Sequence, residues 1–255
     1  MIVRTEAIVL RSMEYSESSR IATLLTRRQG KIGVIAKGAR RTNSRFGSTL
    51  QPMSYVQAVY YFKPTRSLQT LSECSHVLRW RALGRDLDRI AAGLRTVELV
   101  HAVVQDEQDV PMVFNLTLQV LRRLDDPDVP VGNMLPFFQL RLASALGFAP
   151  DLDRDAVRSL PSTGGFLSLD LGAVSPSGSR SRTCIPASRA ALRAFGVMAL
   201  TDLDTTLRMK LADDTRAEVC RLVEEFLRYH VQEAYPDRAS KVIAQLSRTP
   251  PPPNG

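Results

Sequence analysis

The sequence predicts an α+β chain of two unlike parts: a small five-stranded β-barrel over residues 1–80 and a helical domain over residues 81–245. Two changes at one place along the chain carry this expectation. Hydropathy alternates with period two, or in short β-rich runs, from Val3 to about Ser75, and recurs at helical steps of three and four after Trp80. Charge changes there as well. Thirteen of the first 80 residues are Lys or Arg and four are Asp or Glu, a net +9 that exceeds the +8 of all 255 residues. A strongly basic block joined to a near-neutral remainder suggests a polyanion-binding module attached to something else.

The strands follow in order. Ala7, Ile8, Val9 and Leu10 mark the first, and Ile21 to Thr26 (IATLLT) the second. Gln29 and Gly30 turn the chain into the third, Lys31 to Lys37 (KIGVIAK), with glycine supplying the positive φ of a hairpin. Tyr55 to Phe62 (YVQAVYYF), rich in β-branched and aromatic residues, is the fourth, and Ser67 to Cys74 (SLQTLSEC) the fifth. Five short strands suit a small barrel, of which the OB-fold is the commonest form. Residues 38–52 (GARRTNSRFGSTLQP) are polar, basic and punctuated by glycine, and read as a mobile loop with one short turn.

Leu83, Leu87, Ile90, Leu94, Val97 and Val100 then trace a helix, broken near Pro111, which suits a first helical turn. Val113, Leu116, Val120, Leu121 and Leu124 trace a second. Phe137, Leu140, Leu142, Ala145 and Leu146 trace a third, stopped by Gly147. Residues 148–183, rich in Gly, Ser, Asp and Pro, form an irregular insertion, bounded at about 148–185. Helical patterning returns from Pro186 to Gly196 and from Asp213 to about Tyr235. The proline-rich end, residues 246–255, is expected to be disordered and outside the fold.

Several function classes are disfavoured. No apolar run approaches the ~18 residues of a membrane span, and the N-terminus alternates polar and apolar residues where a signal peptide would be continuously apolar. The three scattered cysteines, Cys74, Cys184 and Cys220, argue against a disulfide framework and fit a reducing cytoplasm. His76, His101 and His230 lie in no metal-ligand spacing, and neither a nucleophile elbow nor a phosphate-binding glycine loop is present. Asp125-Asp126, Asp213-Asp214 and Glu224-Glu225 read as helix ends or solvated faces. A Mg²⁺-dependent nuclease needs clustered carboxylates, and the basic part offers Glu6, Glu14, Glu17 and Glu73 alone. The expectation is a protein that is not an enzyme and uses neither cofactor nor metal.

Arg27, Arg28 and Lys31 flank the hairpin turn, and Lys37, Arg40, Arg41 and Arg45 load the following loop. These seven are the expected nucleic-acid contacts, because loop cations reach phosphates without burying their charge. Phe46, Tyr55, Tyr60, Tyr61 and Phe62 lie among them. Aromatics on a barrel surface can stack unpaired bases, but period two sends about half of a strand inward. A barrel of this kind does not by itself distinguish DNA from RNA. An RNA-binding or general single-strand-binding adaptor is therefore the alternative reading. Membrane attachment ranks last, since the basic residues lie on strands and loops rather than on an amphipathic helix.

The order E-x-S-x-R (Glu17, Ser19, Arg20), T-x-x-x-G-K (Thr26, Gly30, Lys31), AKGARR (Ala36 to Arg41) and SRFG (Ser44 to Gly47) closely resembles the N-terminal domain of the bacterial RecO family. A looser similarity continues through FFQLRLASALGFAPDLDR, Phe137 to Arg154. The resemblance implies an N-terminal OB-fold and a helical domain whose insertion often carries zinc. It implies binding of single- and double-stranded DNA, annealing of complementary strands, and contact with the C-terminal tail of single-strand-binding protein. It also implies a partnership with RecR that helps RecA load on DNA. For the tail, Arg122, Arg123, Arg141 and Arg154 are the cations to consider. Many relatives place two CxxC pairs in the insertion. Here the first pair falls on Asp155 and Arg158 and the second near Ser175 and Gly178, with Cys184 several residues beyond. A single thiol does not make a tetrahedral zinc site. A degenerate, zinc-ribbon-like insertion held by packing and hydrogen bonds is the expectation.

Overall fold

Four apolar residues in a row, Ala7 to Leu10, show how the two parts of the chain meet. They lie on β1 (Ile2–Tyr15), where neighbouring side chains point to opposite faces. Ala7 and Val9 enter the barrel core, while Ile8 and Leu10 enter the core of the helical domain. The run is unbroken because this strand is buried on both faces. The computed structural model describes residues 1–178 and 183–235. The expected proline-rich end and the boundary at 245 lie outside the described residues.

β1 pairs with β2 (Ser19–Thr26), β2 with β3 (Gly30–Ala36), and β4 (Tyr55–Tyr61) with both β1 and β5 (Leu68–Leu78). Parallel pairing of β3 with β5 closes the barrel in the order β1-β2-β3-β5-β4. Val9, Leu24, Ile32, Val34, Val56, Tyr60 and Leu71 fill it. Residues 38–52 contain the expected short turn, a 3-10 turn at Gly47–Leu50, but the segment is anchored rather than free: Phe46 and Leu50 join the barrel core at 1% and 3% exposure. Burying a side chain of this size contributes ~1.5–3 kcal/mol, which fixes the second half of the segment.

The helical domain follows an irregular stretch, so Leu83 precedes the first helix. α1 (Leu87–Val103) starts at Asp86, whose carboxylate accepts from Arg89 N at 2.9 Å. α2 (Pro111–Leu124) has Pro111 in its first turn, as the sequence suggests. α3 (Met134–Ala145) is buried on most sides and packs against α1 and α2. The insertion holds α4 (Arg154–Arg158) and a three-stranded sheet, β6 (Gly165–Ser168), β7 (Val174–Ser175) and β8 (Cys184–Ala187), in the order β7-β6-β8. Pro186 therefore belongs to a strand, not to the following helix. α5 (Arg189–Leu200) is capped by Ser188; α6 (Leu203–Arg208), too short for a clear period, was not expected. α7 (Asp213–Val231) ends four residues before Tyr235, with a 3-10 turn between.

The expected ligand positions of the insertion do not form a zinc donor set. Asp155 and Arg158 face each other at 3.8 Å on the exposed α4, Ser175 Oγ donates to Ser177 O, and Gly178 lies against the Phe166 ring. Leu160, Leu167, Leu169 and Val174 instead bury themselves in the helical core.

Ties at several points set the barrel against the helices. Trp80 Nε1 donates to Met53 O at 2.9 Å. One oxygen of Asp125, at the end of α2, accepts from the backbone N–H groups of Arg81, Ala82 and Leu83 at 2.6, 2.8 and 3.0 Å. On the far side, Glu107 N donates to Lys31 O at 2.9 Å, and the chain at Gln108 passes directly over Gly30.

Candidate nucleic-acid interface

The seven cations expected from the sequence fall into two groups at opposite ends of β3. Its seven residues, at ~3.3 Å each, separate the groups by about 20 Å. The turn between β2 and β3 carries Arg27 and Arg28, with Lys31 just inside β3. The segment after β3 carries Lys37, Arg40, Arg41 and Arg45.

The first group mostly serves the domain junction. Arg27 Nε pairs with Glu6 Oε2 at 2.7 Å, its guanidinium also donates to Asn115 Oδ1 at 3.2 Å, and it lies 4.6 Å from the Phe114 ring centre. The Tyr55 hydroxyl, and then Arg27, hold the Glu6 carboxyl below its ordinary value. Lys31 is a correction to the sequence reading. Its ammonium donates to His101 O at 2.9 Å and meets Asp106 at 3.2 Å, and the residue is 9% exposed. Outward side chains of β3 at this position face α1 instead of solvent, so Lys31 ties the barrel to the helices. The neighbouring segment brings Asp106, Glu107 and Asp109 to this flank, which disfavours a polyanion there. Arg27 and Arg28 are both exposed, but only Arg28 has neither an ion pair nor a side-chain hydrogen bond among the described residues.

The second group faces solvent. Arg40 N and a guanidinium nitrogen donate to Ser18 O and Ser16 O, each at 3.0 Å, and Arg40 also pairs with Glu14 at 3.0 Å. Arg40 thus joins this loop to the β1–β2 turn. Arg45 lies over the Phe46 ring at 5.2 Å. Lys37 and Arg41 are exposed and have neither an ion pair nor a side-chain hydrogen bond among the described residues.

Of the interleaved aromatics, Phe46, Tyr55 and Tyr60 are buried. Burial also pushes the Tyr60 phenol up to about 12. Tyr61, at 48% exposure, and the half-buried Phe62 remain accessible.

Two features escaped the sequence reading. The β4–β5 connection (KPTRS, 63–67) holds Lys63 and Arg66, both exposed. Its cue was visible as two cations around a proline, but nothing in the sequence alone fixes their orientation. The second is an open cavity of ≈ 370 Å³ lined by Arg27, Asn115, Leu118, Gln119, Arg122 and Arg123, where α2 meets the barrel. Arg122 also lies over the Tyr55 ring at 5.9 Å, and Arg123 pairs with Asp204. The other two tail candidates lie elsewhere, with Arg141 bonded to Thr201 O and Arg154 on α4.

The barrel coincides with a match to the family model described as recombination protein O N terminal, over residues 1–80. The helical part matches the model described as recombination protein O C terminal, over residues 84–239. The chain belongs to the RecO family. A DNA repair protein RecO of Salinibacter ruber is 49% identical over 250 residues, covering 98% of this chain and 96% of the relative. That of Chlorobium limicola is 29% identical over 260 residues, covering 96% and 99%. That of Bacillus subtilis is 34% identical over 156 residues, covering 60% of this chain and 59% of the relative. RecO membership supports a role in DNA repair and recombination. Among the described residues no helix is long and apolar enough to cross a membrane, and no group of three His, Cys, Asp or Glu could hold a metal ion.

Proposed function

We propose that the chain is a non-enzymatic recombination mediator. Its barrel binds single- and double-stranded DNA and lets complementary strands anneal. With RecR it helps RecA load on DNA coated by single-strand-binding protein. The observation that carries the reading is the set of exposed barrel cations without counter-ions among the described residues, above all Lys37 and Arg41. Holding the phosphates of two strands screens their repulsion, so that bases can meet. Each phosphate contact releases counter-ions and adds ~0.7 to the slope of log K against log salt for single strands.

The decisive experiment is strand annealing without nucleotide, on bare strands and on strands covered by single-strand-binding protein. Acceleration in both supports the mediator. Competition among single-stranded DNA, duplex and RNA, with and without Mg²⁺, separates it from an RNA-binding adaptor and from a nuclease. A folded Lys37→Glu/Arg41→Glu variant with unchanged affinity and salt slope removes this loop from the interface.

The cavity beside α2 favours a second contact. Arg27, Arg122 and Arg123 around Leu118 offer cations and an apolar wall, the chemistry required by an acidic, hydrophobic peptide tail. This is the proposed place for the tail of single-strand-binding protein. A labelled tail peptide that binds equally well to wild type and Arg122→Glu excludes it.

A further inference from the structure

We propose that the β4–β5 loop is a preformed phosphate site for a nucleic-acid strand, with Lys63 and Arg66 as its ligands and Gln69 as the residue that positions them. The inference rests on the DNA-binding reading and adds a site to it.

Gln69 is 2% exposed, and its amide is used entirely on the loop above it. Oε1 accepts from Lys63 N at 2.9 Å, while Nε2 donates to Lys63 O at 3.2 Å and to Arg66 O at 2.7 Å. Arg66 N closes the turn onto Lys63 O at 3.0 Å, and Pro64 restricts it further. Both cationic residues therefore have their backbones fixed while their side chains stand in solvent. Neither has an ion pair or side-chain hydrogen bond among the described residues. A buried amide making three bonds to a four-residue turn is far more than a solvated loop requires.

The surroundings suit a strand. Tyr61, nearly half exposed, lies at the end of β4, just before the loop, and the N-terminal ammonium bonds Phe62 O at 3.1 Å. The Tyr60 hydroxyl bonds Gln29, which brings the free Arg28 to the same end of the barrel. The acidic 106–109 segment lies on the other flank of that turn, against Gly30 and Lys31. A polyanion approaching Arg28 is thus directed toward Lys63 and Arg66.

The test uses the full chain and a fluorescein-labelled oligothymidylate, with anisotropy read over a series of salt concentrations. Lys63→Ala/Arg66→Ala is expected to lower the salt slope by about 1.4, at ~0.7 for each contact. Gln69→Met keeps length and charge but removes all three bonds. It is expected to weaken binding about tenfold, through lost preorganisation, with the slope nearly kept. Made in the Lys63→Ala/Arg66→Ala background, Gln69→Met should have no further effect. An equal loss in both backgrounds means general damage to the barrel and overturns the positioning role. A double alanine variant with the wild-type slope overturns the site and leaves the DNA-binding reading standing. Failure of the wild-type chain to retain the oligonucleotide at low salt overturns both.

Discussion

Replacing Gly30 by alanine should cost more than its backbone geometry alone demands. Gly30 sits at φ +61 at the start of β3, a region that disfavours any residue with a Cβ by ~1–2 kcal/mol. The added methyl would also overlap the Gln108 carbonyl oxygen, which is backbone and has no rotamer to change. The 105–108 segment must withdraw, and the bond from Glu107 N to Lys31 O stretches with it. Losing that bond adds about 1 kcal/mol, so Gly30→Ala should destabilise the chain by about 2–3 kcal/mol. Gly38 is the control. It has φ +74, but an added Cβ meets nothing closer than Arg41 Cδ at 3.7 Å, so Gly38→Ala carries only the backbone cost. Trp80, the one tryptophan, lies elsewhere on the same junction, bonded to Met53, so its emission along a urea titration reports the unfolding of the chain as a whole. Equal losses in the two variants, within ~0.5 kcal/mol, would mean that the helical segment does not press on the β2–β3 turn.

Other outcomes follow from the same junction and from the barrel. Asp125→Ala removes the acceptor of three backbone N–H groups and should cost about 2–3 kcal/mol by urea unfolding, with Asp125→Asn recovering part of it. Phe46→Ala leaves a cavity in the barrel core and should cost about 3–5 kcal/mol, whereas a truly mobile loop would lose almost nothing. Burial, and then Lys31 and Arg11, hold the His101 imidazole below its ordinary value. The unfolded chain therefore takes up this proton first, so the contribution is complete above ~6.5 and declines as pH falls below it. His101→Gln should flatten the fall in urea midpoint between pH 7.5 and 5.5; an unchanged slope would exclude His101 as its source.

Much of the barrel was legible because strands that line a small core leave short, regular signals. The β2–β3 hairpin and β4 stand within a residue or two of their expected bounds, and Gly30 has the expected positive φ. The site was less legible, because a cation's sequence position says nothing of what it faces. Lys31 and Lys37 are six residues apart, at the two ends of one expected strand, and look alike in the sequence. Lys31 meets α1 across the junction, and Lys37 leaves the barrel where no helix covers it. Residues 38–52 misled for a related reason. Polarity and glycine describe most of that segment correctly, but Phe46 and Leu50 are enough to draw it into the barrel core. In the insertion, Leu160, Leu167, Leu169 and Val174 show no single period. They pack as strands and turns laid on a helical core, and that pattern exists only once the helices are in place.

Net charge and available charge are different quantities in this chain, because some cations brace the fold and others are left to solvent. In the helical domain, several basic side chains cap and bridge. Arg89 donates to Leu124 O, Asp126 O, Pro127 O and Val129 O, binding the end of α2 and the turn that follows. Arg216 reaches Asn133 Oδ1 at 2.7 Å and Leu211 O at 3.2 Å, and Arg193 reaches Arg158 O at 3.0 Å. On the barrel, Arg28, Lys37, Arg41, Lys63 and Arg66 have no comparable partner among the described residues. A charge already bound to several carbonyls cannot also release counter-ions from a nucleic acid, so the count of basic residues is not the count of available charges. The consequence separates two kinds of failure in a scan of Arg and Lys to alanine. Arg89→Ala leaves four carbonyls without their donor and should lower the urea midpoint while leaving the salt slope of the folded fraction intact. Lys37→Ala or Arg41→Ala should lower the slope by ~0.7 each and leave the midpoint within experimental scatter. Should Arg89→Ala alter the slope, or Lys37→Ala the midpoint, the division of labour between a phosphate-gripping barrel and a self-braced helical partner would be wrong.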